Sequence, residues 1–143
     1  MIRVEGSTLI DRPPTDVYAF TADVRNLSMW VPQVIEAKQT TDGPLEAGAR
    51  FTDVIQFLGR RFETHFEVTE VVPERNITFK STSGPFPIEV TQRLGPEGAG
   101  TRLTMVMESS PGGFFKVAEP VLPRVIQRQL DTALGNVKDL LET

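Results

Sequence analysis

The chain contains no cysteine, which rules out a disulfide framework, a thiolate metal site and a cysteine nucleophile together. Its single histidine, His65, would leave any zinc site resting almost wholly on carboxylates, an unusual donor set. No metal and no cofactor are expected. No apolar run approaches the roughly 20 residues needed to span a bilayer. Met1 to Ile10 alternates polar and apolar residues where a signal peptide would show an unbroken apolar core. Basic charge is scarce, with 15 Lys and Arg against 19 Asp and Glu. That balance argues against a nucleic-acid binder, for which a clustered basic face is expected. Catalytic signatures are missing too: there is no Gly-x-Ser-x-Gly elbow, phosphate-binding loop, His-Glu-x-x-His or dinucleotide fingerprint. These absences leave a soluble cytoplasmic domain, spanning residues 1–143, with no nucleic-acid partner and no stable membrane insertion.

What is present is organised around the last thirty or so residues. Leu122, Ile126, Leu130, Ala133, Val137 and Leu140 recur at three- and four-residue spacing, and Val121, Val125, Leu134 and Leu141 widen the stripe. This is one face of a helix, with Arg124, Gln127, Arg128, Asp131, Lys138 and Asp139 on the other. Pro120 and Pro123 interrupt it. Either a helix from Phe114 kinks there, or a short turn over 113–119 precedes a long helix that starts afresh at a proline in its first turn.

The rest of the chain supplies something for this helix to cover. Ile2 to Ile10 alternates as a strand, and Thr15-Asp16 after two prolines starts a helix buried through Val17 and Phe20. A break near Asp23 to Asn26 separates a second short helix, which Pro32 stops after Trp30. Strands are then expected over Val34–Thr41, Ala49–Leu58, Arg61–Val72, Arg75–Thr82, Phe86–Leu94 and Thr101–Glu108. The turns between them include Asp42-Gly43-Pro44, Gly59, Pro73-Glu74, Ser83-Gly84-Pro85 and Gly95-Pro96-Glu97-Gly98. Short strands on short connections make antiparallel neighbours, so the class is α+β.

Several stretches carry a resemblance. They are Ser7 with Ile10-Asp11-Arg12-Pro13-Pro14, Asp23 with Asn26 and Trp30-Val31-Pro32, Gly48-Ala49-Arg50-Phe51, Val72-Pro73-Glu74-Arg75 with Phe79, and Gly100-Thr101-Arg102-Leu103-Thr104, followed by the amphipathic helix. In that order and spacing the whole chain resembles the START-like, or SRPBCC, superfamily (Bet v 1-like), in particular its polyketide cyclase/dehydrase-like branch. The resemblance implies a helix-grip fold: a seven-stranded antiparallel sheet curved around the long C-terminal helix, with two short helices between strands 1 and 2. It also implies an elongated apolar cavity between sheet and helix that takes a lipid, polyketide, quinone or similar molecule.

Strand parity gives the concave face independently. Phe51, Ile55 and Phe57 carry Asp53 inward; Phe62, Phe66 and Val68 carry Thr64. Ile77 and Phe79 bring Ser81, and Phe86, Ile88 and Val90 bring Gln92. Met105 and Met107 follow on the last strand. A bulge would reverse any of these assignments. An inward Asp53 has its pKa raised by desolvation and can act as an acid or base, unless it reaches solvent or pairs with an arginine. His65 falls outward with Glu63 and Glu67 and is left out of the site.

Trp30 either walls the pocket mouth or plugs the core. Met105 and Met107 suit a wall that moulds to a guest, as well as ordinary packing. Phe114 and Phe115, after Pro111-Gly112-Gly113, read as a gate or as helix-start packing, and Pro85-Phe86-Pro87 as the opposite lip. Val121 and Val125 would line the helix side. The aromatase/cyclase relatives use arginine inside the pocket, and no inward strand position here offers one. A monomeric or weakly dimeric binder or carrier of a hydrophobic small molecule is therefore expected. Its rivals are a cyclase or dehydratase working through Asp53 and a protein-interaction module.

Overall fold

The computed structural model describes residues 2–85, 87–110 and 119–143. The chain begins with β1 (Ile2–Ile10), α1 (Pro14–Thr21), a single 3-10 turn (Val24–Asn26) and α2 (Leu27–Trp30). Six strands follow: β2 (Val34–Gln39), β3 (Arg50–Phe57), β4 (Arg60–Val72), β5 (Asn76–Ser83), β6 (Ile88–Glu97) and β7 (Gly100–Ser109). The long helix, α3, runs Leu122–Glu142. The strands make one seven-stranded antiparallel sheet in the order β1-β7-β6-β5-β4-β3-β2. Every hairpin pairs chain neighbours, and the two helices between β1 and β2 carry those strands to opposite edges. This is the α+β helix-grip fold expected from the sequence.

Local chemistry explains the elements that matter for the site. β3 and β4 are joined across Leu58 and Gly59, with φ of +49° and +78°. A two-residue hairpin turn with both central residues in that region matches the right-handed twist of its strands. Glycine accepts this at no steric cost and Leu58 does not. The turn sets an unbroken register from Arg50↔Glu67 to Phe57↔Arg60, which holds Phe51, Asp53, Ile55 and Phe57 on one buried face.

Of the two readings of the C-terminal stretch, the second gives the start of α3; the turn it places over 113–119 lies, but for Glu119, outside the described residues. The helix starts at Leu122 with Pro123 in its first turn, where the missing N–H would have had no intrahelical partner anyway. Its 21 residues extend about 31 Å. Leu122, Ile126, Leu130, Ala133, Leu134 and Val137 are buried. Leu140, counted above as part of the stripe, is instead 42% exposed. There α3 has passed the end of β1 and lies over the following turn, where Arg12 donates to the Leu141 carbonyl at 3.2 Å and Glu142 accepts from the Asp11 N–H at 2.8 Å.

Further hydrogen bonds fix which side of the sheet α3 is tied to. Gln127 donates to the Glu5 carbonyl (3.1 Å), Lys138 to the Leu9 carbonyl (2.6 Å) and Asn136 to the Trp30 carbonyl (3.1 Å). The helix is thus stitched to β1 and α2.

One expected turn is also different. Gly95 to Glu97 continue β6, and Pro96 pairs with Thr101 of β7. The Leu94 N–H points to Arg75 on the β5 side, so Pro96, two residues on, turns its donor-less nitrogen to the same side. β5 pairing has ended at Arg93, which leaves proline at an open edge where it is tolerated.

Candidate functional site

Between the concave face and α3 lies a cavity of about 110 Å³. Its floor comes from alternate residues of the middle strands: Phe51, Asp53, Ile55 and Phe57 of β3, Thr64 and Phe66 of β4, and Phe79 of β5. β6 adds Ile88, Val90 and Gln92, and β7 adds Met105 and Met107. α3 roofs it with Ile126, Gln129, Leu130 and Ala133, and the α2–β2 corner closes it with Leu27, Trp30, Val31, Gln33 and Val34. Three rings form a cluster on the floor. Phe51 stacks on Phe66 at 4.9 Å, and Phe79 meets both edge-on at 5.1 and 5.3 Å. Such a cluster fixes its members in favourable aromatic geometry and so gives the cavity a rigid wall.

Most of the candidate positions therefore come together here: Trp30, Asp53, Phe57, Thr64, Phe66, Phe79, and with them Val90, Gln92, Met105 and Met107. Others stand elsewhere. Ser81 pairs with Phe66 near the end of β5, but its Oγ accepts a hydrogen bond from the Ile88 N–H at 3.0 Å and it is not among the lining residues. Val121 precedes the first turn of α3 and is 52% exposed. Val125 is half-buried and lies one turn before Gln129 on the same flank of α3, outside the cavity lining. Phe114 and Phe115, with the Gly112-Gly113 approach, lie outside the described residues, as does Phe86 of the proposed lip. His65 is on the outer face, its Nε2 3.5 Å from Glu63.

The parity argument did not find Gln129 and Gln33. A lone glutamine on a helix reads as part of the wet face, and Gln33 sits in a corner with no period to read.

The electrostatics of the cavity are set by burial. Elsewhere in the body, buried polar side chains mostly have partners: Thr101 Oγ1 donates to the Arg12 carbonyl at 2.7 Å and Ser109 Oγ to the Pro87 carbonyl at 2.8 Å, with Thr21 Oγ1 the exception among the described residues. Around the cavity they do not. Asp53 Oδ1, Thr64 Oγ1, Gln92 Oε1, Gln33 Oε1 and Trp30 Nε1 are all buried without a hydrogen-bond partner. Buried polar atoms are normally paired, and five of the six left unpaired among the described residues belong to side chains that line this cavity. Burial pushes the Asp53 carboxyl from 3.8 up to about 7, while the Thr64 hydroxyl opposite favours its charged form and pulls it part of the way back. The two residues face each other directly across β3 and β4, yet neither Asp53 Oδ1 nor Thr64 Oγ1 completes a bond of good geometry.

A second, wider depression of about 730 Å³ follows α3 on its solvent side, between Arg3, Arg124 and Arg128. It is an open groove and encloses nothing.

The sequence model for polyketide cyclase/dehydrase and lipid transport proteins matches residues 1–142. The chain belongs to that family. Solved structures agree with it at the level of fold. Protein TTHA0849 from Thermus thermophilus superposes with a TM-score of 0.84 at 22% identity, over 97% of this chain and 96% of that one. The Zhui aromatase/cyclase from Streptomyces gives 0.78 at 17% identity, over 98% and 93%. A START superfamily protein from Mycobacterium smegmatis gives 0.77 at 12% identity, over 96% and 98%. No curated protein matches the chain. For this family member no helix among the described residues is long and apolar enough to cross a membrane, and no cluster of His, Cys, Asp or Glu among them could hold a metal ion.

Proposed function

We propose that the protein binds or carries a small hydrophobic molecule in the cavity between the sheet and α3. The observation that carries this reading is the coincidence, at one place, of an aromatic- and aliphatic-walled space with buried polar atoms that the protein itself leaves unpaired. A few convergent polar groups in an apolar pocket orient a guest whose affinity comes mainly from its buried surface. The family description, which joins cyclase/dehydrase activity with lipid transport, supports the same coarse reading.

Size sharpens it. Pockets for drug-sized ligands run from roughly 300 to 1,000 Å³, whereas this cavity measures about 110 Å³. A cavity of about 150 Å³ is enough for benzene, so at about 110 Å³ the space approaches the size of a single ring or a short branched chain and takes one with a small outward movement of its walls. A lipid, quinone or polyketide requires the walls to open. Met105, Met107 and Gln129, unbranched at the cavity wall, are the side chains best able to swing aside. Native mass spectrometry of protein purified without detergent is expected to retain an apolar mass. Failure to bind any member of a panel of single-ring aromatics, quinones, polyketides and lipids overturns the proposal.

A second reading, a cyclase or dehydratase acting on the same guest, is favoured by one observation. A carboxyl held near 7 by burial is poised to give and take protons at neutral pH. On this reading Asp53→Asn abolishes turnover and leaves the guest bound. No arginine is among the residues lining the cavity, so ring closure would be steered by Asp53, Thr64 and Gln92 alone.

A further inference from the structure

The unpaired atoms around the cavity that are fully shielded from water are biased in their chemistry. Asp53 Oδ1, Gln33 Oε1 and Gln92 Oε1 are acceptors, Thr64 Oγ1 can accept or donate, and Trp30 Nε1 is the one that can only donate. Asp53, Thr64, Gln92 and Trp30 are 7%, 1%, 2% and 0% exposed, so bulk water does not satisfy them. No lysine, arginine or histidine is among the lining residues. A guest with an acid group would bring negative charge beside Asp53 with no base to balance it, and would leave the acceptor oxygens as they are. A guest that donates hydrogen bonds satisfies them, and its ring would have the Phe51, Phe66 and Phe79 cluster to lie against.

Resting on the reading that the cavity takes a small apolar guest, we propose that this guest is a ring-sized molecule whose polar end donates hydrogen bonds. Phenols and primary amines share this chemistry. The donor sits at Asp53 and Thr64, which face each other on adjacent strands, and carboxylic acids of equal size are excluded. For an amine the carboxylate of Asp53 is the missing counter-charge, and the neighbouring rings favour a cation over their faces. For a phenol Asp53 and Thr64 serve as acceptors.

The test is calorimetric titration of the full chain at pH 8 with four molecules of one shape: toluene, p-cresol, benzylamine and benzoate. Either p-cresol or benzylamine, or both, should bind about ten-fold or more tightly than toluene, the effect of one buried hydrogen bond, and benzoate more weakly than toluene. Asp53→Asn separates the two sources: it should weaken benzylamine about ten-fold and change p-cresol little. Thr64→Val should weaken whichever donor binds, by several-fold. Toluene binding as tightly as both donors, or benzoate binding best, overturns the inference while leaving an apolar cavity reading intact. A donor that binds tightly but ignores both substitutions overturns its placement at this pair. If none of the four binds, the cavity reading and the inference fail together.

Discussion

The two faces of the β3–β4 hairpin are made from alternate residues of the same few inches of sequence space, and they treat polar groups in opposite ways. On the outer face Arg50 meets Glu67 at 3.4 Å and His65 meets Glu63 at 3.5 Å, all with side chains about a third or more exposed. On the inner face Asp53 and Thr64 are 7% and 1% exposed and unpaired. Exposed ion pairs contribute little because water serves each partner almost as well as the other does. A buried polar group without a partner forfeits its hydration and gains nothing in return. The outer face is therefore close to neutral for stability. The inner face is a standing cost that a guest can relieve.

The largest effect that would break this contrast concerns Asp53. In the unfolded chain its carboxyl loses its proton near 3.8, and in the folded chain only near 7. Between those values the folded state holds a proton that the unfolded state has released. Stability is therefore greatest below the lower value, falls as pH rises through the interval, and is flat above the upper one. The whole loss is at most about 4 kcal/mol. Urea denaturation at pH 5 and pH 8 should show the fall in the native protein, and Asp53→Asn should remove most of it. Parallel pH profiles for the two proteins would mean that Asp53 finds a partner when folded.

Next in size is Thr64→Val, which keeps the shape of the side chain and removes the unpaired hydroxyl. Leaving a buried polar atom unsatisfied costs about 1–3 kcal/mol, whereas an apolar replacement is neutral or stabilising. The variant should be as stable as the native protein or more so, by up to about 2 kcal/mol, in the same urea experiment. A loss of stability of comparable size would show that the hydroxyl is satisfied in solution.

How far the inner face could be read from sequence depended on register. Phe51, Asp53, Ile55 and Phe57 were assigned correctly as a set because β3 and β4 pair without a break, so period-two alternation survives along the hairpin. Parity carries Ser81 to the concave side as well, since it pairs with Phe66 before β5 bulges at Thr82, but alternation could not show that its hydroxyl would be taken up by the Ile88 N–H at the end of the strand, short of the cavity lining. The start of α3 was legible only as one of two alternatives, because a proline either kinks a helix or stands in its first turn, and the structure has Pro123 in the first turn. The inner face of α3 was legible in part. Ile126, Leu130 and Ala133 of the apolar row roof the cavity as expected, but Gln129 beside them lines it while Val125, one turn earlier on the same flank, does not, the reverse of what hydropathy alone suggests. The volume of the cavity was not legible at all. It is a difference between two nearly equal quantities, the room under the helix and the side chains that fill it, and alternation fixes neither.

The smallest effect should come from the outer face. Arg50 and Glu67 are cross-strand partners on the opposite side of the sheet from Asp53, and their side chains are 60% and 34% exposed. A pair so placed contributes about 0.5 kcal/mol or less, and salt screens what there is. Glu67→Ala should shift the urea midpoint slightly at low ionic strength and not at all at high salt, with cavity binding unchanged. A salt-independent loss above about 1 kcal/mol, outside the range of exposed pairs, would place this pair among the groups that hold β3 to β4. The hairpin would then owe its register to its outer face, and the unpaired residues inside would owe their positions to it as well.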